Sequence, residues 1–291
     1  VNTLSFTDTG IGLWTGPTTF EVTGDRVAAY AAATNDPIPA HRTGTVAPPV
    51  FAIVPVFDSM LEPALDVVPT GLFGRVVHGE QDFRFHRAIR PGDVLTARGR
   101  VIGYEGLPNG TRLVVHLECR DAADATLVNE QYVTSFVRGH DEGKRVGEAA
   151  PPHRFDAALR ERRPDGRSTA HVDADQTFRY AAASGDPVPI HLDEEVARDA
   201  GLPGIIAHGL CSLAMASWGV LTTVGGSDVT RMRRLAVRFS KMVLPGQDLH
   251  TRVWRTGHAD GVSTYAFETT AGDVVALSDG LVEIADHPHH R

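Results

Sequence analysis

Tyr180-Ala-Ala-Ala-Ser-Gly-Asp-Pro-Val-Pro-Ile-His191 is the stretch around which the chain is organised. It sets an acid, Asp186, and an imidazole, His191, into one short segment stiffened by two prolines. A second histidine followed by glycine comes at His208-Gly209. The same text, slightly altered, stands in the first half as Tyr30-Ala-Ala-Ala-Thr-Asn-Asp-Pro-Ile-Pro-Ala-His41, at a constant offset of 150. Tyr, three Ala, Asp, two Pro and His are identical in the two copies. Pro91-Gly92 and Pro245-Gly246 keep almost the same register, so the chain reads as a duplication.

The 291 residues suit two domains of ordinary size, expected at 1–140 and 167–291 with a linker over 141–166. The linker is charged and proline-bearing and carries no sustained apolar period. A hydrophobic fraction of 42% is that of a globular protein, and no apolar run is long enough for a membrane span. The start, Val1-Asn-Thr-Leu-Ser-Phe, lacks the basic and apolar parts of a signal peptide. Two cysteines, Cys119 and Cys211, argue for a reducing, cytoplasmic setting and against a disulfide framework or a cysteine zinc site. A net charge of -8 argues against a general nucleic-acid binder. The histidine-bearing end, 286–291, reads as a polar tail rather than a metal tract.

Each half follows one plan. An alanine-rich helix over 27–34 or 176–183 runs into the Asp-Pro turn, where proline forbids helical continuation. A longer apolar helix follows, expected over 50–65 in the first half, where Pro55 should bend it or shift its start, and over 208–223 in the second. Alternating segments then predict antiparallel strands over 82–89, 94–102, 111–120 and 126–138, and over 234–243, 249–255, 262–269 and 274–284. One apolar helix followed by a run of hairpin strands points to an α+β architecture, with the sheet wrapping the helix. A pseudo-two-fold would relate the two halves.

The run Ala183-Ser-Gly-Asp-Pro-Val-Pro-Ile-His191, then Asp193, Ala197, Gly201 and Pro203-Gly-Ile-Ile-Ala-His-Gly209, resembles the MaoC-like, or hydratase 2, branch of the hot-dog fold. The family pattern reads Ser-Gly-Asp-x-Asn-Pro-(Leu/Ile)-His, a short acidic segment, then Gly and His-Gly. The resemblance covers both halves and implies a double hot-dog with its active site in the second domain and a degenerate site in the first. It implies a (3R)-specific enoyl-CoA hydratase, that is, a 3-hydroxyacyl-CoA dehydratase. Such an enzyme acts as a homodimer on an acyl-CoA or carrier-protein thioester and needs no metal or redox cofactor.

The residues fit that chemistry. Adding water across an α,β-unsaturated thioester needs a base for the water, an acid for Cα and a stabiliser for the charge on the thioester oxygen. His191 is the natural base, and Asp186 is the candidate acid if burial raises its affinity for a proton; which of the two serves Cα and which the water stays open in the sequence. Gly209 opens the long helix, where backbone N–H groups lack partners and the dipole favours negative charge. By resemblance, its N–H binds the thioester carbonyl. Val188 and His208 are expected beside the substrate, His208 reading equally as a helix-start residue that packs the loop, and Val188 replaces the Asn of the family pattern. That replacement keeps two alternatives open: a thioesterase in which Asp186 activates water, and a silent acyl-CoA-binding subunit.

Other candidates read more plainly. Ser184 lies in a turn without a nucleophile elbow, and Cys211 falls on the apolar face of the helix. Asp36 and His41 repeat the acid–imidazole pair, but the loop after them is short and no His-Gly opens the helix that follows, so a structural remnant is expected. Arg231, Arg233, Arg234, Arg238 and Lys241 form a basic run near one strand and read equally as phosphate ligands or as solvated edge charges.

Overall fold

The computed structural model describes residues 4–286. The tail expectation at 287–291 therefore lies outside the described residues. The first half runs β1 (Thr18–Glu21), α1 (Gly24–Ala33), α2 (Pro39–Arg42), α3 (Phe57–Leu65), β2 (Val76–Phe85), β3 (Val94–Leu107), β4 (Gly110–Asp121), β5 (Leu127–Arg138) and β6 (Arg145–Gly147). The second runs β7 (Gly166–His171), α4 (Gln176–Ser184), α5 (Glu194–Asp199), α6 (Gly209–Val224), β8 (Met232–Phe239), β9 (Asp248–Ala259), β10 (Val262–Ala271) and β11 (Val274–Ala285). Among the described residues no helix is long and apolar enough to cross a membrane.

Packing divides the chain into two compact units that do not follow the halves of the repeat. One holds the chain up to Glu21, Pro55–Arg84 and Val94–Pro152. The other holds Val22–Val54, Phe85–Asp93 and everything from His153 onward. Thus α1, α2 and the first acid–imidazole turn pack in the unit that also carries the second turn.

In the first unit the strands lie in the order β1-β3-β4-β5-β2, with β6 pairing β3. The hairpin between β3 and β4 closes at Leu107 and Gly110, and Leu95, Ala97, Leu117, Cys119 and Val133 fill the buried face. In the second unit the order is β8-β11-β10-β9-β7, each neighbouring pair antiparallel. Strand β11 alternates buried and half-buried positions from Gly280 to Ala285, as a period-two segment with one covered face must.

Helix α6 is buried from Leu210 to Leu221. It is apolar nearly all round, so it belongs in the core of its unit rather than on a surface. Gly219 permits its approach to β7, since a Cβ there would collide with the Ser168 hydroxyl. The expected helix over 50–65 is not continuous. Pro49–Val56 is a 3-10 helix and α-helical geometry begins only at Phe57. Pro55 cannot donate the hydrogen bond that an α-helical turn needs there. The strands expected at 82–89 and 94–102 are β2, which begins and ends earlier, and β3, which runs on to Leu107.

Candidate active site

Helix α4 ends at Gly185, whose φ of 79° turns the chain out of the helix. Asp186 follows. Its N–H donates to Ser184 Oγ at 3.3 Å, and the Ser184 hydroxyl donates back to the Tyr180 carbonyl at 2.7 Å. Asp186 Oδ1 accepts from the Val188 N–H at 3.2 Å. Pro189 opens a 3-10 turn that ends on His191, so the prolines hold acid and imidazole at fixed separation. His191 Nδ1 lies 2.8 Å from the Ile206 carbonyl. A carbonyl only accepts, so Nδ1 carries the proton and the Nε2 lone pair of neutral His191 is left for chemistry.

His208 lies under this pair. Its ring stacks on His191 with centroids 3.8 Å apart and planes 27° apart. His208 Nε2 is 3.3 Å from the Asp186 carbonyl oxygen and 4.0 Å from Oδ2, and Nδ1 is buried without a hydrogen-bond partner. Tyr180, the first residue of the repeat, packs its ring against His208 at 4.9 Å. Asp186, His191 and His208 each offer one nitrogen or oxygen within 4.8 Å of the others. Near-parallel imidazole planes direct their lone pairs side by side rather than onto one point. The cluster therefore fits an acid–base pair with a backing ring better than a metal centre.

Burial sets the electrostatics. It raises the Asp186 carboxyl above the usual carboxylate range, against the opposing pull of the Val188 N–H and of His191. It lowers His191, with the Ile206 carbonyl working the other way. It pushes His208 down to about 3, helped by the neighbouring His191, so His208 is a neutral ring. An acid that holds its proton more tightly than usual thus faces a base that stays neutral near pH 7.

Gly209 is the first residue of α6, so its N–H has no carbonyl partner within the helix. A Cβ at this position would sit 3.0 Å from Phe239 Cδ1, tighter than ordinary contact. Val188 is 41% exposed beside Asp186. Cys211 is buried, and burial pushes its thiol up to about 12. Of the basic run, Arg231 donates to the Gly225 and Ala285 carbonyls, Arg233 to the Thr230 carbonyl, and Arg234 approaches Glu283 at 3.9 Å.

The first copy is built differently. Asp36 Oδ2 and His41 Nδ1 meet directly at 2.7 Å, and Oδ1 accepts from the Ile38 N–H at 2.8 Å. Both side chains are fully enclosed, at 1% and 0% exposure. The same residue types that stay part-exposed in the second copy are here closed on each other. Reading residues alone missed the Ile206 carbonyl, the Phe239 ring and the two tyrosines that head the repeat. Only the tyrosines left a signal in the sequence, their identity at the shared offset.

Comparison with known proteins agrees with this geometry. Residues 156–276 match the MaoC like domain, and residues 9–130 match the dehydratase domain region described as FAS1-like. The chain is 31% identical over 217 residues to 3-hydroxyacyl-thioester dehydratase Y of Mycobacterium tuberculosis, covering 72% of each. It is 30% identical over 242 residues to peroxisomal multifunctional enzyme type 2 of Mus musculus, where the match covers 81% of this chain but 31% of that longer one. A solved Mycobacterium tuberculosis protein described as a double hotdog fold superposes with a TM-score of 0.63 at 16% identity, covering 94% of this chain and 96% of that one. The helix-and-sheet layout occurring twice, the intact second turn and these matches together place the chain in the MaoC-like dehydratase family, with a double hot-dog, α+β fold.

Proposed function

We propose that the protein reversibly hydrates a trans-2-enoyl-CoA, or the matching carrier-protein thioester, to the (3R)-3-hydroxyacyl thioester. The observation that carries this reading is the fixed tautomer of His191. With Nδ1 held by the Ile206 carbonyl, Nε2 is free to take a proton from water beside a carboxyl whose proton affinity is raised. In the hydration direction the water oxygen bonds to C3, its proton goes to His191 Nε2, and the Asp186 proton goes to C2. The pair resets when His191 returns a proton to Asp186, directly or through solvent. The enolate-like oxygen is met by the Gly209 N–H at the positive end of α6, a class of donor worth about 3–4 kcal/mol in the transition state. No metal or redox cofactor enters this chemistry.

In this proposal the 1–140 half shapes the acyl site and the 167–291 half carries the chemistry. Val188 stands where the family pattern has a polar side chain, so the water relies on Asp186 and His191 alone. A homodimer belongs to the same reading, as does a reducing, cytoplasmic compartment, the latter supported by two buried free thiols.

The test is incubation with crotonyl-CoA, a longer enoyl-CoA and an enoyl carrier-protein thioester. Loss of enoyl absorbance without thiol release, abolished by Asp186→Asn and His191→Ala, is the expected result. Thiol release would mean a thioesterase, and binding with neither reaction would mean a silent subunit. Either outcome ends the hydratase reading.

A further inference from the structure

The closed first copy is not idle in the packing. Tyr30 and Tyr180, the residues that head the two copies, are both fully buried, and their hydroxyls meet at 3.2 Å. Phe51 backs the Tyr30 ring edge-on at 5.5 Å. From Tyr180 the contact passes to the His208 ring and from there, face to face, to His191. The column Tyr30–Tyr180–His208–His191 thus joins the first turn to the base of the second without a gap in its packing.

Two further ties run from the same short segment. Asn35 adopts a left-handed φ of 52°, which aims its side chain at the start of α4. There its Nδ2 donates to Asp173 Oδ2 at 2.9 Å, Gln176 Oε1 at 3.1 Å and the His171 carbonyl at 3.2 Å. Arg179 of α4 returns the contact, donating to the Ala32 carbonyl and to Asn35 Oδ1. The Trp218 indole N–H of α6 donates to the Thr34 carbonyl at 3.0 Å. So α1 and its turn hold both elements that carry the second site: α4, which delivers Asp186, and α6, which begins at Gly209. Asp36, closed on His41 and on the Ile38 N–H, keeps that turn in one shape.

We propose that the first-copy segment from Tyr30 to Asp36 is the positioning device of the second-copy site. It fixes the His191 ring through Tyr30, Tyr180 and His208, and it sets Gly209 against Asp186 through the Thr34–Trp218 tie. None of its residues touches the reacting atoms. The proposal rests on the hydratase reading for its kinetic consequence but not for its structural one. A base displaced by a fraction of an ångström loses alignment with water and C3 in the transition state, while binding of the thioester is left nearly unchanged.

Two mild variants test it. Tyr30→Phe removes one hydroxyl and keeps the ring, and Asn35→Gly removes the side chain while tolerating the left-handed backbone. For each, the expected result is a kcat lower by about tenfold with KM unchanged, together with shifted ring signals of His191 in a histidine-labelled NMR spectrum. The ring signals decide. If both variants fold and His191 keeps its wild-type signals, the proposal is overturned, even if the melting temperature or kcat falls. If the wild-type protein hydrates no thioester at all, the reaction assignment fails, yet moved His191 signals still support the positioning role and unmoved ones still sink it.

Discussion

At the residue scale, His208 links the site to stability. Its pKa is about 3 in the folded chain against 6.5 for an ordinary imidazole. Between those values the unfolded chain binds a proton that the folded chain refuses, so stability falls as pH drops from 6.5 toward 3. The slope from this residue is at most about 1.4 kcal/mol per pH unit. Denaturant unfolding of wild type and His208→Gln across that window should show a shallower loss in the variant. His191 is lowered in the same sense, so the acid limb of the wild-type kcat/KM profile should lie below 6.5, which a pH–rate series on crotonyl-CoA can read. Val188→Asn restores the polar side chain of the family pattern beside Asp186. One added hydrogen bond of about 1 kcal/mol would raise kcat/KM by about fivefold, which steady-state assay on crotonyl-CoA can read. Gly209→Ala retains the N–H but presses a methyl on Phe239, and kcat should fall by about tenfold while the fold persists.

At the scale of elements, the two turns show how one motif yields different outcomes. Asp36 and His41 are buried and bonded to each other, so His41→Ala would leave an enclosed carboxyl without its partner. Loss of one member of a buried pair costs about 3–5 kcal/mol, a deficit that thermal unfolding would report as a markedly lower Tm. Much of this was legible in residues. The short helices, the proline-bearing turns and the apolar helix α6 follow from period and from proline and glycine positions. Pro55 announced that the helix over 50–65 would bend or start late, as it does, but apolar spacing alone does not show that the stretch before Phe57 is a 3-10 helix. Strand β7 was hidden as well. Gly166 to His171 has polar residues on its open side, and it becomes a strand by pairing with β9, a partner some eighty residues away that no local pattern can indicate. The His191 tautomer was equally out of reach, since it is set by the carbonyl of Ile206 across a loop.

For the whole molecule, duplication in sequence and compactness in space draw different boundaries. Val22–Val54 belongs by packing with the chain beyond His153. A fragment starting at His153 would expose the faces of α4 and α6 that Tyr30, Thr34 and Asn35 cover, and would leave the Trp218 indole N–H and the Tyr180 hydroxyl without these partners. Expressed alone, that fragment should lack the dispersed NMR spectrum and cooperative melting of the full chain, whereas the full chain should show both. The burial that shapes the core also reaches the cysteines. Cys119 and Cys211 are 0% and 1% exposed, one on the buried face of β4 and one inside α6. A thiol reagent added to the native protein should therefore find no protein sulfur to modify. Any thiol it titrates during turnover comes from the substrate, so the folded chain supplies its own silent background for telling hydration from thioester cleavage.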